Sequence, residues 1–197
     1  MATYRAIGAV CKAIVNLLEN RSRPGLFDAT GLEFAVYSTG NFAEPMTTGV
    51  SLFLYHVSIN MTQRSLPSRP DPITGRPRRP QLPLDLHCIL TPWARDASVE
   101  HQILGWMMRT LEDNPTLGAQ ALNAVGSNPA FAEDEAVEIV AGQMTNEEMF
   151  RIWDVLPGDY RLSVPYVARV VRIDPEITEE GAGPVIVREL DFGKYES

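Results

Sequence analysis

The chain of 197 residues is 45% hydrophobic and 21% charged, which suits one well-packed globular domain over 1–197 and excludes a disordered chain. Its formal net charge of −8 argues against nucleic acid as a partner, because phosphate binding needs a positive surface. No stretch reaches the roughly 18 apolar residues that cross a bilayer, so we expect no membrane partner.

The N-terminal stretch predicts an amphipathic helix rather than a secretion signal. Arg5, Lys12 and Glu19 interrupt it at helical spacing, and no small-residue cleavage site follows, so we expect synthesis in the cytoplasm. Thr3 can cap this helix, which should run to about Asn20. Its apolar residues recur at the 3.6-residue period and are Ile7, Val10, Cys11, Ile14, Val15, Leu17 and Leu18.

Two strands should follow the break at 23–25. Residues 32–37 are rich in β-formers, and residues 49–61 form the strongest strand pattern in the chain. The centre of the second strand, 52–55, is apolar on both faces, which predicts a position covered on both sides of a sheet. Its end alternates apolar Val57 and Ile59 with polar neighbours, so one face should lose its cover there.

An arm, residues 62–83, interrupts the strand pattern. It contains six of the fifteen prolines of the chain, so it cannot supply a continuous hydrogen-bond ladder. It also contains five arginines against Asp71 alone, a local net charge of +4 that leaves −12 for the rest of the chain. We hypothesise that the arm contacts an acidic protein surface; the alternative is a solvated loop. The arginines are Arg64, Arg69, Arg76, Arg78 and Arg79.

The second half of the chain alternates helices and strands. A strand at 84–90 leads to a helix at about 98–113, capped by Asp96 or Ser98, with Leu104 in its apolar stripe. A short helix at 117–125, a strand at 136–140 and a capped helix opening at 145–148 follow. Strands at 165–173 and 185–192 complete the pattern. This order predicts an α/β (α+β) fold, with a mixed sheet of about five strands flanked by about three helices.

The residue types that usually perform chemistry lack the required context. His56 and His87 lie on consecutive strands and could be neighbours, but no metal-binding spacing accompanies them. Cys11 and Cys88 lie in apolar runs and are expected to be buried thiols. No phosphate-binding loop or nucleophile elbow occurs. We therefore expect no catalytic residue, no metal ion and no cofactor.

The three tryptophans leave an alternative open. Trp93, Trp106 and Trp153 fit apolar packing of helices on a sheet, yet they could also line a ligand site. Together with His56 and His87 they support a second hypothesis, a small-molecule-binding or enzymatic α/β domain.

Several phrases in this order resemble one protein family. The chain is similar to the N-terminal domain of the cap, or tail-terminator, proteins of extracellular contractile injection systems, phage-tail-like particles such as the antifeeding prophage and the Photorhabdus virulence cassettes. The resemblance covers about residues 3–192. The phrases are LYHVSIN at 54–60, LPLDLHCILTPWA at 82–94, EHQILGWMMRTLEDNPTL at 100–117 and MTNEEMFRIWDVLPGDYRLSVPYVARVVRID at 144–174.

The resemblance implies a structural role and no enzymatic one. Members of this family form a hexameric ring on the end of the inner tube and contact the last sheath layer, so the implied partners are further copies of the chain, tube proteins and sheath proteins. Their particles can be released from the cell. Larger members have additional C-terminal domains, and since this chain ends soon after the similar region, we expect no role that depends on them.

Overall fold

The computed structural model describes residues 2–23, 25, 27, 31–64, 80–124 and 129–175. Within them, six strands form one mixed sheet in the order β1-β2-β3-β6-β5-β4. β1 is parallel to β2, and every other neighbouring pair is antiparallel. The strands are β1 Glu33–Tyr37, β2 Gly49–Ile59, β3 Leu82–Trp93, β4 Thr116–Gly118, β5 Ala136–Ala141 and β6 Val164–Ile173.

The mixed α/β architecture is confirmed, with six described strands where about five were predicted. The predicted strand at 136–140 is β5, whereas the three-residue strand β4 was not predicted. The predicted strand at 185–192 lies outside the described residues.

Four of the helices are ones that the sequence predicted, including the short helix within 117–125, whereas the four-residue helix Met61–Arg64 was not predicted. The bounds are α1 Ala6–Arg21, α2 Met61–Arg64, α3 Ala97–Asp113, α4 Ala119–Asn123 and α5 Asn146–Val155. A 3-10 turn at Thr39–Phe42 links β1 to β2. None of the helices in the described ranges is both long and apolar enough to span a membrane.

Local sequence signals determine the first residue of two of the three long helices, α3 and α5. The Asp96 side chain accepts hydrogen bonds from the first amides of α3, and Thr145 and Glu148 form the reciprocal capping box of α5. The predicted cap of α1 is wrong: the helix begins at Ala6 with Arg5 at the cap position. The Thr3 amide donates to the Ala130 carbonyl at 3.0 Å, so this residue is held by a distant segment of the same chain before the helix begins.

Two apolar layers cover the sheet. On one face, α1, α3 and α4 pack against Val50, Leu52, Leu86 and Leu90. On the other face, α5 and the 3-10 turn pack against strand residues that include Ile89. Because the side chains of a strand point alternately to the two faces, β2 and β3 are apolar on both sides at their centres, as predicted for residues 52–55 of β2.

The apolar stripe of α3 is centred on Ile103, Met107 and Leu111, so Leu104 lies at its edge. Ile103, Met107 and Leu111 are fully buried, whereas Leu104 and Val99 are only partly covered against the same layer. A substitution of Leu104 should therefore cost less than one at Ile103.

Candidate functional site

The arm begins and ends at a structured neck, which joins the end of β2 to the start of β3. Of its arginines, Arg64 is described; it ends α2 and is exposed. Arg69, Arg76, Arg78 and Arg79 lie outside the described residues. The structure therefore defines the position from which the arm starts, and the role of these arginines stays a prediction.

Backbone and side-chain hydrogen bonds hold the two ends of the arm together. The Asn60 amide donates to the Pro83 carbonyl at 2.9 Å, which joins the end of β2 to the start of β3. The Gln81 side chain donates to the Asp174 carboxylate at 2.9 Å, and the Arg172 guanidinium donates to the Gln63 side-chain oxygen at 3.2 Å. The neck is therefore part of the folded sheet.

Asp85 is the central acceptor at this neck. Its carboxylate accepts two hydrogen bonds from the Asn60 side-chain amide, at 2.9 and 3.2 Å, and one from the Val170 backbone at 2.9 Å. Val170 lies at a bulge in β6 and has φ of 58°, a left-handed conformation that β-branched residues rarely adopt. The Asp85 carboxylate stabilises this strained backbone, and it also holds the Asn60 side chain in place through two hydrogen bonds.

Apolar side chains are exposed next to the neck. Val57 and Ile59 are 37% and 40% exposed, as expected from the loss of cover at the end of β2, and Met61 and Leu82 are also exposed. Beyond residue 53, the outer edge of β2 has no strand partner among the described residues. Such a patch beside an open edge is typical of a protein–protein contact.

His56 and His87 are cross-strand neighbours on the face covered by α5. Their ring centroids are 5.2 Å apart, and the Ser58 hydroxyl lies 2.8 Å from His87 Nε2. Burial, helped by the nearby charge of His56, lowers the pKa of His87. The carboxylate of Asp85 is bonded to Asn60 and Val170, and the described residues contain no cluster of three metal-ligating side chains. Ser58 and His87 therefore form a hydrogen-bonded pair, but the Asp85 carboxylate does not orient His87 as the third residue of a nucleophilic triad would.

The tryptophans and cysteines are packing residues. The Trp93 indole donates to the Ser51 hydroxyl at 2.8 Å inside the sheet, and the Trp106 ring packs on α1 and α3 layer residues. Both thiols are buried, and burial raises the pKa of Cys11 to about 11 and that of Cys88 further. These thiols are therefore protonated and unreactive at neutral pH, as expected for buried apolar positions.

An aromatic groove, which the sequence did not predict, lies beside α5. It is lined by Phe150, Trp153, Asp154, Asp159 and Tyr160. The phenyl ring of Phe150 and the phenol ring of Tyr160 are 51% and 49% exposed, although their centroids are only 5.2 Å apart. One sequence feature could have indicated this groove: Phe150 is an aromatic residue that lies outside the apolar stripe of α5, next to the buried Met149.

The family of the chain follows from its sequence profile. The profile described as Pvc16 N-terminal domain matches residues 9–186. The chain belongs to the Pvc16 N-terminal domain family. The matched range includes the arm, its neck, the two histidines and the aromatic groove.

Two solved structures share the fold of this Pvc16 N-terminal domain. One is described as the sheath/tube terminator of an extracellular contractile injection system, PVC, in the extended state; it has a TM-score of 0.62 and 18% identity, over 100% of this chain and 66% of that chain. The other is described as the anti-feeding prophage cap, a tube terminating cap; it has a TM-score of 0.59 and 15% identity, over 92% of this chain and 60% of that chain. The domain thus spans about two thirds or less of either protein. No curated protein sequence matches it significantly.

Proposed function

We propose that this chain is a structural cap, or tail-terminator, subunit of a contractile injection system. It forms a ring, expected to be a hexamer, that ends the inner tube and anchors the last sheath layer. The observation that supports this most strongly is the family match over residues 9–186, together with the fold shared with a sheath/tube terminator and a tube terminating cap. The role is structural, and its partners are tube and sheath proteins.

The surface of the domain suits a subunit that is covered in an assembly. Val155, Met61 and Phe150 are 80%, 68% and 51% exposed. Monomeric proteins expose few large apolar side chains in groups, and such groups usually mark contact surfaces. These residues lie at two separate places, the arm neck and the region of α5. A ring subunit needs two different contact surfaces, one for each neighbour.

The arm is proposed to contact an acidic protein surface. Its net charge is +4, on a chain whose remaining residues sum to −12. Arginine suits this contact because its planar guanidinium donates paired hydrogen bonds to a carboxylate and stacks on aromatic rings. The prolines restrict the free arm, so less conformational entropy is lost on binding than with a glycine-rich segment. The proposed contact residues are Arg64, Arg69, Arg76, Arg78 and Arg79.

Deletion of the protein from its particle tests the terminator role. Electron micrographs of deletion particles should contain tubes or sheaths of uncontrolled length, or sheaths that contract early. Complementation with the unmodified chain should restore one narrow length distribution. Particles of normal length and stability in the deletion strain would exclude the proposal.

A further inference from the structure

Two arginines line a cavity at the end of the sheet that is opposite the neck. This arginine cavity has a volume of about 320 Å³, and Arg95 and Arg161 line it together with Trp93, the last residue of β3. The Arg161 guanidinium lies over the Trp93 ring, 5.7 Å from its centroid. No carboxylate in the described ranges forms an ion pair with either arginine. Both guanidiniums are therefore available to a carboxylate from another molecule.

Hydrogen bonds hold the backbone on either side of the arginine cavity. The Arg161 carbonyl accepts from the Ser163 hydroxyl at 3.1 Å, and this buried hydroxyl is itself 2.9 Å from that of Thr91. Arg95 directly precedes Asp96, whose side chain caps α3. Because these positions are already fixed in the free protein, a ligand that pairs with the guanidiniums costs less conformational entropy than it would on a mobile loop.

A rigid acidic turn, residues 132–135, precedes β5. The Ala132 amide donates to the Glu135 carboxylate at 2.6 Å, and the Glu135 amide donates to the Ala132 carbonyl at 3.1 Å, so both ends of the turn are held together. Glu133 and Asp134 occupy its tip and are exposed. Within the part of the chain that the structure describes, neither carboxylate forms an ion pair. The acidic turn therefore presents two adjacent carboxylates, which match the two arginines of the cavity in number and charge.

The other adjacent carboxylates of the described ranges are bonded within the chain. In the Glu112–Asp113 pair, Asp113 forms an ion pair with Arg109. In the Glu147–Glu148 pair, Glu147 is paired with Arg151, and Glu148 accepts from Thr145 at the cap of α5. The acidic turn is therefore the best described candidate for the carboxylates that the arginine cavity binds.

The acidic turn lies at the neck end of the sheet. Ala130, two residues before the turn, accepts from the Thr3 amide at 3.0 Å. The neighbouring Ala2 carbonyl accepts at 2.8 Å from the amide of Asp174, which directly follows the end of β6 at the neck. The acidic turn and the arginine cavity are thus at opposite ends of the domain.

Strand register shows that the two surfaces of one copy cannot touch. Val164, the first residue of β6, is opposite Leu90 near the cavity end, whereas Arg169 is opposite Glu138 on β5. These two positions along β6 are roughly 16 Å apart, and the acidic turn lies beyond the second and the cavity beyond the first. The total separation exceeds what an arginine and a glutamate side chain can bridge, so the carboxylates must come from a second molecule.

We propose that the arginine cavity of one copy binds the acidic turn of the neighbouring copy, with Arg95 and Arg161 paired with the Glu133 and Asp134 carboxylates. Complementary surfaces at opposite ends of a subunit give head-to-tail contacts, which close into a ring when the rotation between subunits allows it. The inference rests on the proposed function, since it identifies a contact that would join adjacent subunits of the ring.

Charge reversal on each surface tests the contact. The cavity variant has Arg95→Glu and Arg161→Glu, and the turn variant has Glu133→Arg and Asp134→Arg. Sedimentation velocity of the full chain at concentrations up to about 1 mM measures the Kd of self-association. Each variant should raise this Kd at least about tenfold, because like charges then face each other. The turn variant changes only exposed side chains, so it tests the contact even if loss of the Arg161–Trp93 contact impairs folding of the cavity variant.

A matched control separates this contact from the effect of net charge. Arg21→Glu with Arg109→Glu changes the net charge by the same amount as the cavity variant, at exposed positions on α1 and α3. This control should leave the Kd of self-association within about threefold of that of the unmodified chain. An equal loss of affinity in the control and in the cavity variant would overturn the proposal.

A mixing experiment tests whether the contact joins two copies. In an equimolar mixture of the two variants, the glutamates of the cavity variant meet the arginines of the turn variant, and the unmodified cavity of the turn variant meets the unmodified turn of the cavity variant. Every contact between unlike copies is then attractive. The mixture should therefore associate with a Kd within about threefold of that of the unmodified chain, although each variant alone associates weakly. An effect confined to one copy cannot be restored in this way.

The outcomes distinguish this inference from the proposed function. Unchanged self-association in the turn variant would overturn the contact, and a loss in the cavity variant alone would show that another acidic surface occupies the cavity. A mixture no stronger than its components, or an unmodified chain that stays monomeric up to about 1 mM, would also overturn it. Electron micrographs of the deletion strain decide the terminator role separately: tubes or sheaths of uncontrolled length would leave that role in place, and normal particles would refute it.

Discussion

Gly49, the first residue of β2, allows the parallel strand β1 to approach. It pairs with Glu33 at the start of β1 and with Trp93 at the end of β3. A Cβ atom at position 49 would overlap the carbonyl oxygen of Glu33 and lie 2.8 Å from its carbonyl carbon and its amide nitrogen. These atoms belong to the backbone of another strand, so no rotamer change can relieve the clash. Gly49→Ala must therefore push β1 away from β2.

The amount by which Gly49→Ala destabilises the fold depends on the buried residues that β1 positions. Displacing β1 disturbs Tyr37, which is buried in the α5 layer and whose hydroxyl accepts from the Met46 amide at 2.8 Å. Forcing extra atoms into a packed site costs about 1–3 kcal/mol, and the disturbed strand adds to it, so we expect a loss of at least about 2–3 kcal/mol. Whole domains are stable by only about 5–15 kcal/mol, so this loss is large.

Urea unfolding at low protein concentration measures the loss in free energy of unfolding that Gly49→Ala causes. Gly105→Ala is the matched control. Gly105 is exposed within α3, and an added Cβ meets no atom within 4 Å. That variant should gain about 0.5–1 kcal/mol from helix propensity. A Gly49→Ala variant within about 0.5 kcal/mol of the unmodified chain, at an unchanged urea slope, would refute the described pairing of β1 with β2.

Three further predictions concern stability. Ile103→Ala should cost about 2–5 kcal/mol in urea unfolding and Leu104→Ala clearly less, because only the former side chain is fully buried; equal costs would contradict the register of α3. Asp85→Ala should cost about 2–3 kcal/mol and make the arm neck more sensitive to protease, since hydrogen bonds to a carboxylate are lost there; unchanged stability would contradict its role. Because the pKa of His87 is lowered in the folded state, the unfolded chain binds the proton more readily, so stability should fall as pH falls from about 6.5 through that lowered pKa. His87→Gln should reduce this pH dependence, and an unchanged dependence would contradict the assignment.

Elements with strong local signals could be predicted from the sequence. Asp96 and the Thr145–Glu148 box determine where α3 and α5 begin, because a side chain satisfies free amides within a few residues. The apolar centre of β2, residues 52–55, predicted its cover on both faces for the same kind of reason, since a continuous apolar run is a local property of the sequence.

Features that depend on distant residues could not be predicted. β4 is three residues long and exists through its pairing with β5, which no local pattern encodes. The bulge after Leu54 changes the register of β2 and thereby sets His56 opposite His87. The aromatic groove combines residues of α5 with Tyr160 from the following loop, so its rings meet only in the folded chain.

A cryo-electron microscopy reconstruction of the particle ends tests the central claim most directly. The account predicts a single closed ring of copies of this six-stranded fold at one end of the inner tube, in contact with the last sheath layer. A tube end without this fold, or copies of the fold distributed along the tube, would contradict the assignment of the chain as a tail terminator.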